Sequence, residues 1–161
     1  ILRCLVGSEM CIRDSLYWYL THACSPVTDG LMPYREADLL RNILDRADAA
    51  LKEGKNQATL RFGHESCLLP LVALLELNHY GESYPDVEKL SEQWRAYDIF
   101  PMASNVQFVF FHKKGSNDVL VKVLLNEKEA KLPVKTDVAP YYHWKDVESY
   151  YREKLDKYQH I

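Results

Sequence analysis

Between Ala58 and Leu75 the chain changes character at a single glycine. Ala58-Thr59-Leu60-Arg61-Phe62 is a short run containing β-formers that stops at Gly63, and from Leu68 to Leu75 the chain is apolar on every side. The first run reads as a buried strand, because β-branched and aromatic residues bounded by glycine suit a pleated surface. The second has no polar face and reads as a helix buried all round. Pro70 limits how early its regular bonding begins, since proline has no N–H to donate. A buried strand that feeds a buried central helix implies α/β layering, with a sheet and helices packed around one core.

The flanking sequence extends that reading. Leu40, Ile43, Leu44, Ala47 and Leu51 recur at helical steps with Arg41, Asp45, Arg46 and Asp48 between them, which predicts an amphipathic helix from about Arg35 to Glu53. Gly54 is its expected stop. Upstream, the aromatic stretch Leu16 to Ala23 reads as the tail of a helix, and Ser25-Pro26 and Asp29-Gly30 punctuate a loop running to about Pro33. Downstream, a loop from Asn78 to Pro85 precedes a third helix expected from about Asp86 to Trp94. The β-rich runs Asn105 to His112 and Val119 to Leu125 flank Lys113-Lys114-Gly115-Ser116-Asn117-Asp118, the pattern of an antiparallel hairpin. A last amphipathic helix runs from about His143 to Tyr158, with Val147, Tyr150, Tyr151 and Leu155 on its apolar face. The expected fold class is α/β, a central sheet flanked by helices, with a C-terminal β-hairpin and helix.

The chain begins at Ile1, and Cys4-Leu5-Val6-Gly7-Ser8-Glu9-Met10-Cys11-Ile12-Arg13-Asp14-Ser15 resembles a translated sequencing adapter. Residues 1–15 are therefore expected to be non-native, and residues 16–161 to be one part of one domain. Of the 4 cysteines, Cys24 and Cys67 fall outside that segment, too few to specify a disulfide framework. A net charge of -3 with both signs interspersed supplies no basic field for nucleic acid or an anionic membrane surface. The longest apolar run, Leu68 to Leu77, is broken by Pro70 and Glu76 and falls short of the roughly 20 residues of a membrane span.

The chemistry expected of this chain sits where the strand meets the helix, at His64 and Glu65. A helix N-terminus presents unpaired N–H groups and the positive end of the helix dipole, and ligands of α/β sheets gather at the C-terminal ends of strands. Phosphate is the natural guest. There, an imidazolium from His64 donates to a phosphoryl oxygen, and a protonated Glu65 gives its proton to a departing alkoxide. The same two residues also suit a structural reading, His64 bonded to a backbone carbonyl and Glu65 capping the helix. Spacing leaves both open.

Arg61-Phe62-Gly63-His64-Glu65-Ser66-Cys67-Leu68-Leu69-Pro70-Leu71 resembles the second active-site motif of the histidine acid phosphatases, the group containing phytases and multiple inositol polyphosphate phosphatases. A looser resemblance runs from Leu16 to Leu155. It implies an incomplete histidine-phosphatase-like domain whose parent hydrolyses phosphomonoesters, with inositol phosphates among the substrates, no cofactor, and a periplasmic or secreted location. In that family the motif reads His-Asp or His-Ala-Glu. His64 matches its phosphate-contacting histidine; Glu65 stands at the Asp position of one variant, and Ser66 at the Glu position of the other. The resemblance thus implies His64 and Glu65 as the catalytic pair. The family's nucleophile motif, Arg-His-Gly-x-Arg-x-Pro, is not in this sequence, so the fragment alone is expected to be inactive. Two alternatives remain: a non-catalytic phosphate-ligand binding module or pseudoenzyme, and a structural piece of a longer chain.

Other residues favour bland readings. Arg61 suits a structural pairing with an acidic neighbour as well as a phosphate contact. His22 and Cys24 lack companions at metal-ligand spacing. His79, His112, His143 and His160 are scattered over loops and element ends, the aromatics from Tyr141 to Tyr151 fit a core better than a sugar platform, and Lys113, Lys114, Lys122, Lys128 and Lys131 alternate with acids in the manner of a solvated face.

Overall fold

A computed structural model describes residues 2–158, with side chains from residue 10 onward; His160 lies outside the described residues. The order is α1 (Leu2–His22), α2 (Ala37–Glu53), α3 (Glu65–Leu74), two single turns α4 (Leu90–Gln93) and α5 (Ala96–Ile99), then β1 (Val106–His112), β2 (Val119–Leu125), β3 (Lys128–Glu129), β4 (Tyr142–His143) and α6 (Trp144–Tyr158). The fold is mixed α/β. The strands form one sheet in the order β1-β2-β3, with β4 pairing β2 beyond β3, and helices flank it. The hairpin is antiparallel with Val109 opposite Lys122, as the alternation on both sides of Lys113–Asp118 predicts.

The amphipathic helix forms as expected, entered through a 3-10 turn at Met32–Glu36 and stopped by Gly54 in the left-handed region at φ 65. Leu40 and Leu44 are fully buried on its inner face. On its outer edge Arg152 of α6 reaches Asp45 at 3.0 Å and Asp48 at 2.9 Å, while the Trp144 indole donates to Asp48 at 2.9 Å. These bonds tie α2 to α6 and hold the Asp48 carboxyl below the usual carboxylate range despite partial burial.

From Leu69 to Leu75 every residue of α3 and its cap is buried. Carbonyls at a helix C-terminus lack intrahelical donors, and α6 supplies them here: Lys154 Nζ donates to the Leu74 carbonyl at 2.7 Å and the Tyr151 hydroxyl to the Leu75 carbonyl at 2.7 Å. Lys154 also pairs with Glu76 at 3.1 Å, and Tyr150 donates to the same carboxylate. Glu76 takes a left-handed backbone at φ 54, which turns the chain sharply out of α3. Gly81 fills the inside of that turn. A methyl there would lie 2.5 Å from the Ala73 carbonyl oxygen and 2.5 Å from Glu76 Cγ. Gly81→Ala is therefore expected to cost about 1–3 kcal/mol in a urea melt; no loss would mean the turn is not packed this way.

Two expectations are corrected. Residues 58–62 form no strand and pair with none among the described residues, and Leu60 and Phe62 stand 76% and 95% exposed instead of buried. All four ladder strands begin at or after Val106, and none of them pairs with this run to cover it. The third helix is broken. Trp94 and Arg95 are both extended, at φ -135 and -137, and split the region into α4 and α5. The extended backbone drops the Trp94 ring into the core, where it is 0% exposed.

Candidate functional site

The site is built by the local fold of Gly63–Leu69. His64 occupies the N-cap position of α3 with extended backbone, φ -107 and ψ 166, and its carbonyl accepts from the Cys67 and Leu68 amides, both at 3.0 Å. That geometry starts the helix without using the imidazole. Glu65 is the first helical residue, where the positive end of the helix favours a carboxylate. Both side chains are exposed, and neither has a hydrogen-bond or ion-pair partner among the described residues. The structure thus brings the two predicted residues together at the start of a ten-residue helix whose far end is locked by α6.

Neighbouring groups have structural occupations. Arg61 donates to Asn42 Oδ1 of α2 at 2.7 Å, a structural pairing with an amide in place of the acidic neighbour expected. Glu36 lies beside α3, its carboxyl pushed up by burial while a hydrogen bond with Cys67 acts the other way. Cys24 and Cys67 are both free thiols, and burial pushes the Cys24 thiol up to about 11.

The remaining histidines lie elsewhere. His22 meets Thr21 at 2.6 Å, and its pKa is lowered by burial and by Arg35. His79 pairs with Glu82 at 2.8 Å, and His112 bonds the Ser116 carbonyl at 2.7 Å. Among the described residues no group of three or more His, Cys, Asp or Glu side chains is arranged to hold a metal ion, and no helix is long and apolar enough to cross a membrane. Tyr142, Trp144 and Tyr151 belong to the core.

One polar cluster escaped the sequence reading. Glu76, Tyr150 and Lys154 meet at the C-terminal end of α3, and two clefts of 210 and 370 Å³ open beside Glu76. The signal was a lone acid closing an apolar helix. These clefts are lined by neither His64 nor Glu65, and at 1.5 Å per residue they sit about 15 Å along α3 from them. Their groups are already engaged in capping α3, so they are read as part of the scaffold.

Residues 35–126 match the family described as histidine phosphatase superfamily (branch 2), a span that includes α2, His64, Glu65, α3 and the β1–β2 hairpin. The chain is 28% identical over 134 residues to multiple inositol polyphosphate phosphatase 1 of Homo sapiens, covering 75% of this chain and 27% of that protein. The protein of the same name from Gallus gallus is 27% identical over 135 residues, covering 73% and 28%. The chain thus spans little more than a quarter of the length of these relatives. Among solved structures, the apo multiple inositol polyphosphate phosphatase of Bifidobacterium longum superposes with a TM-score of 0.71 at 24% identity over 82% of this chain and 29% of that one, a likeness of fold. The same bacterium's enzyme in complex with inositol hexasulfate superposes with a TM-score of 0.61 at 28% identity, over 71% and 25%.

Proposed function

The chain belongs to branch 2 of the histidine phosphatase superfamily, and on that premise we propose that it is the C-terminal part of a phosphomonoester hydrolase, contributing His64 as a phosphate contact and Glu65 as the proton donor. The observation that carries this reading is the pair itself: two exposed side chains, without partners among the described residues, side by side at a helix N-terminus and within the span that matches the family. Anions are favoured at such an end by the backbone N–H groups and the dipole. Similarity to multiple inositol polyphosphate phosphatases makes inositol phosphates the proposed substrates.

The reaction proceeds in two steps. A histidine supplied by sequence upstream of this chain attacks phosphorus, and the P–O bond to the leaving alcohol breaks as the N–P bond forms. His64, as an imidazolium, donates N–H to a phosphoryl oxygen, where negative charge is concentrated. Glu65 transfers its proton to the departing alkoxide and is left ionised. Water then attacks the phosphohistidine while giving a proton to the ionised Glu65, so that the N–P bond breaks, phosphate is released and both the nucleophile and the acid return to their starting states. This chain supplies no nucleophile of its own in an Arg-His-Gly-x-Arg-x-Pro setting. The exposed run 58–62, unpaired among the described residues and ending two positions before His64, suits a strand completed by a neighbour from that upstream sequence.

The test is His64→Ala in the product of the complete gene, assayed on inositol hexakisphosphate. Loss of one preorganised donor to the phosphoryl oxygens is expected to lower kcat by about 10²–10³, with the circular dichroism spectrum unchanged because the His64 ring has no bonding partner among the described residues. Activity equal to that of the unmutated enzyme would overturn the assignment.

A further inference from the structure

His143 is the hinge point between sheet and last helix. It closes β4, stands opposite Leu120 of β2, and is followed at once by Trp144, the first residue of α6. Both ring nitrogens face carboxylates. Nδ1 lies 3.0 Å from Asp118 Oδ2 and 3.1 Å from its Oδ1, and Nε2 lies 3.0 Å from Asp137 Oδ1. An ionised carboxylate only accepts, so both bonds coexist only when both nitrogens carry hydrogen, that is when the ring is an imidazolium. A neutral ring keeps one N–H and turns a lone pair towards the other carboxylate.

The three residues come from three segments: Asp118 immediately precedes β2, Asp137 belongs to the loop leading from β3 to β4, and His143 ends β4. The charged groups acting on the ring are these two carboxylates. Lys122, the cation on β2, is engaged elsewhere, 3.3 Å from Glu129 and above the Tyr141 ring. We infer that Asp118, His143 and Asp137 form an acid-side clasp that fastens the hairpin, the β3–β4 loop and the start of α6 together while the imidazole is charged, and slackens when it loses its proton. The clasp stands whether or not His64 is catalytic.

The sign follows from linkage. The bonds to Asp118 and then Asp137 raise the His143 pKa above its ordinary 6.5, and the bond from His143 is the main cause that lowers Asp137 below 3.8. A raised histidine adds stability that is complete below its unfolded value and is lost as pH climbs through the raised folded value. A lowered carboxylate adds stability that is lost as pH falls through its folded value. The clasp is therefore closed from the lowered Asp137 value up to about 6.5 and opens above the raised His143 value.

The experiment is a ¹⁵N imidazole NMR titration of this chain, combined with amide exchange at about pH 5.5 and about pH 8. The expected result is a His143 midpoint above 6.5 that falls towards that value in Asp137→Asn, an exposed loop substitution. After correction for intrinsic exchange rates, β4 amides should lose more protection at the higher pH than β1–β2 amides, and this excess should vanish in His143→Gln. A midpoint at or below the ordinary value, or one unmoved by Asp137→Asn, would overturn the clasp. Proportional loss of protection in β4 and the hairpin would do the same.

Discussion

Trp94→Ala is expected to lower the unfolding free energy of the chain by about 3–5 kcal/mol, the range for emptying a buried aromatic site. Trp94 is the largest fully buried side chain. Its ring packs edge-on against Tyr19 of α1 with centroids 5.4 Å apart, and its indole N–H donates to the Tyr80 carbonyl at 3.3 Å. Tyr19 in turn is bonded through its hydroxyl to both backbone groups of Tyr84. Truncation leaves a cavity between α1 and the turns after α3 and removes the donor from a carbonyl. Trp94→Phe separates the two effects: it keeps most of the volume and should cost about 1–3 kcal/mol for the carbonyl left without its donor. In urea melts the midpoint should fall with the slope unchanged. A Trp94→Ala loss of under about 1 kcal/mol, ordinary for a surface site, would contradict the burial of this ring.

Glu65→Gln in the product of the complete gene is expected to lower kcat on an alkyl phosphate ester by about 10²–10⁴, the usual contribution of a positioned general acid. Glutamine keeps the size and position of the side chain and has no proton of suitable acidity to give. The loss should shrink towards nothing on an aryl phosphate whose phenolate departs unaided, and KM should hardly move, since the proton is transferred only as the bond breaks. Equal losses on both esters would assign Glu65 to substrate binding. No loss on either would remove it from the site and direct attention to Ser66, the adjacent residue that stands at the acid position of the other family variant.

The parts of this fold that were legible from sequence are those whose signal is local. The helix α2 was marked by Leu40, Leu44 and their polar intervals, with Gly54 free to take a positive φ at its end. The hairpin was marked by two β-rich runs around a polar loop. Residues 58–62 show where local signal stops. Their composition favours a strand, but pairing and burial require a neighbouring strand, and none of the described strands supplies one. Trp94 shows a tertiary override. Its spacing from Val87 and Leu90 suited a continuous helix, whereas the core claims the ring through an extended break that leaves Val87 43% exposed. The Glu76, Tyr150 and Lys154 cluster was illegible because its members lie 74 and 80 residues from the positions they bond across α3 and α6. His64 and Glu65 were legible as candidates because a glycine, a histidine and an acid at the mouth of an apolar helix form a pattern within one short segment.

In the proposed function His64 and Glu65 complete an active site whose nucleophile lies on sequence preceding this chain. The most direct measurement is to read the source DNA upstream from a primer within the Arg35–Leu51 coding region, through the adapter-like segment at residues 1–15. An in-frame Arg-His-Gly-x-Arg-x-Pro is expected upstream. A genuine start codon close to Leu16, with no such motif before it, would overturn the proposed active site and leave a non-catalytic phosphate-binding module in its place.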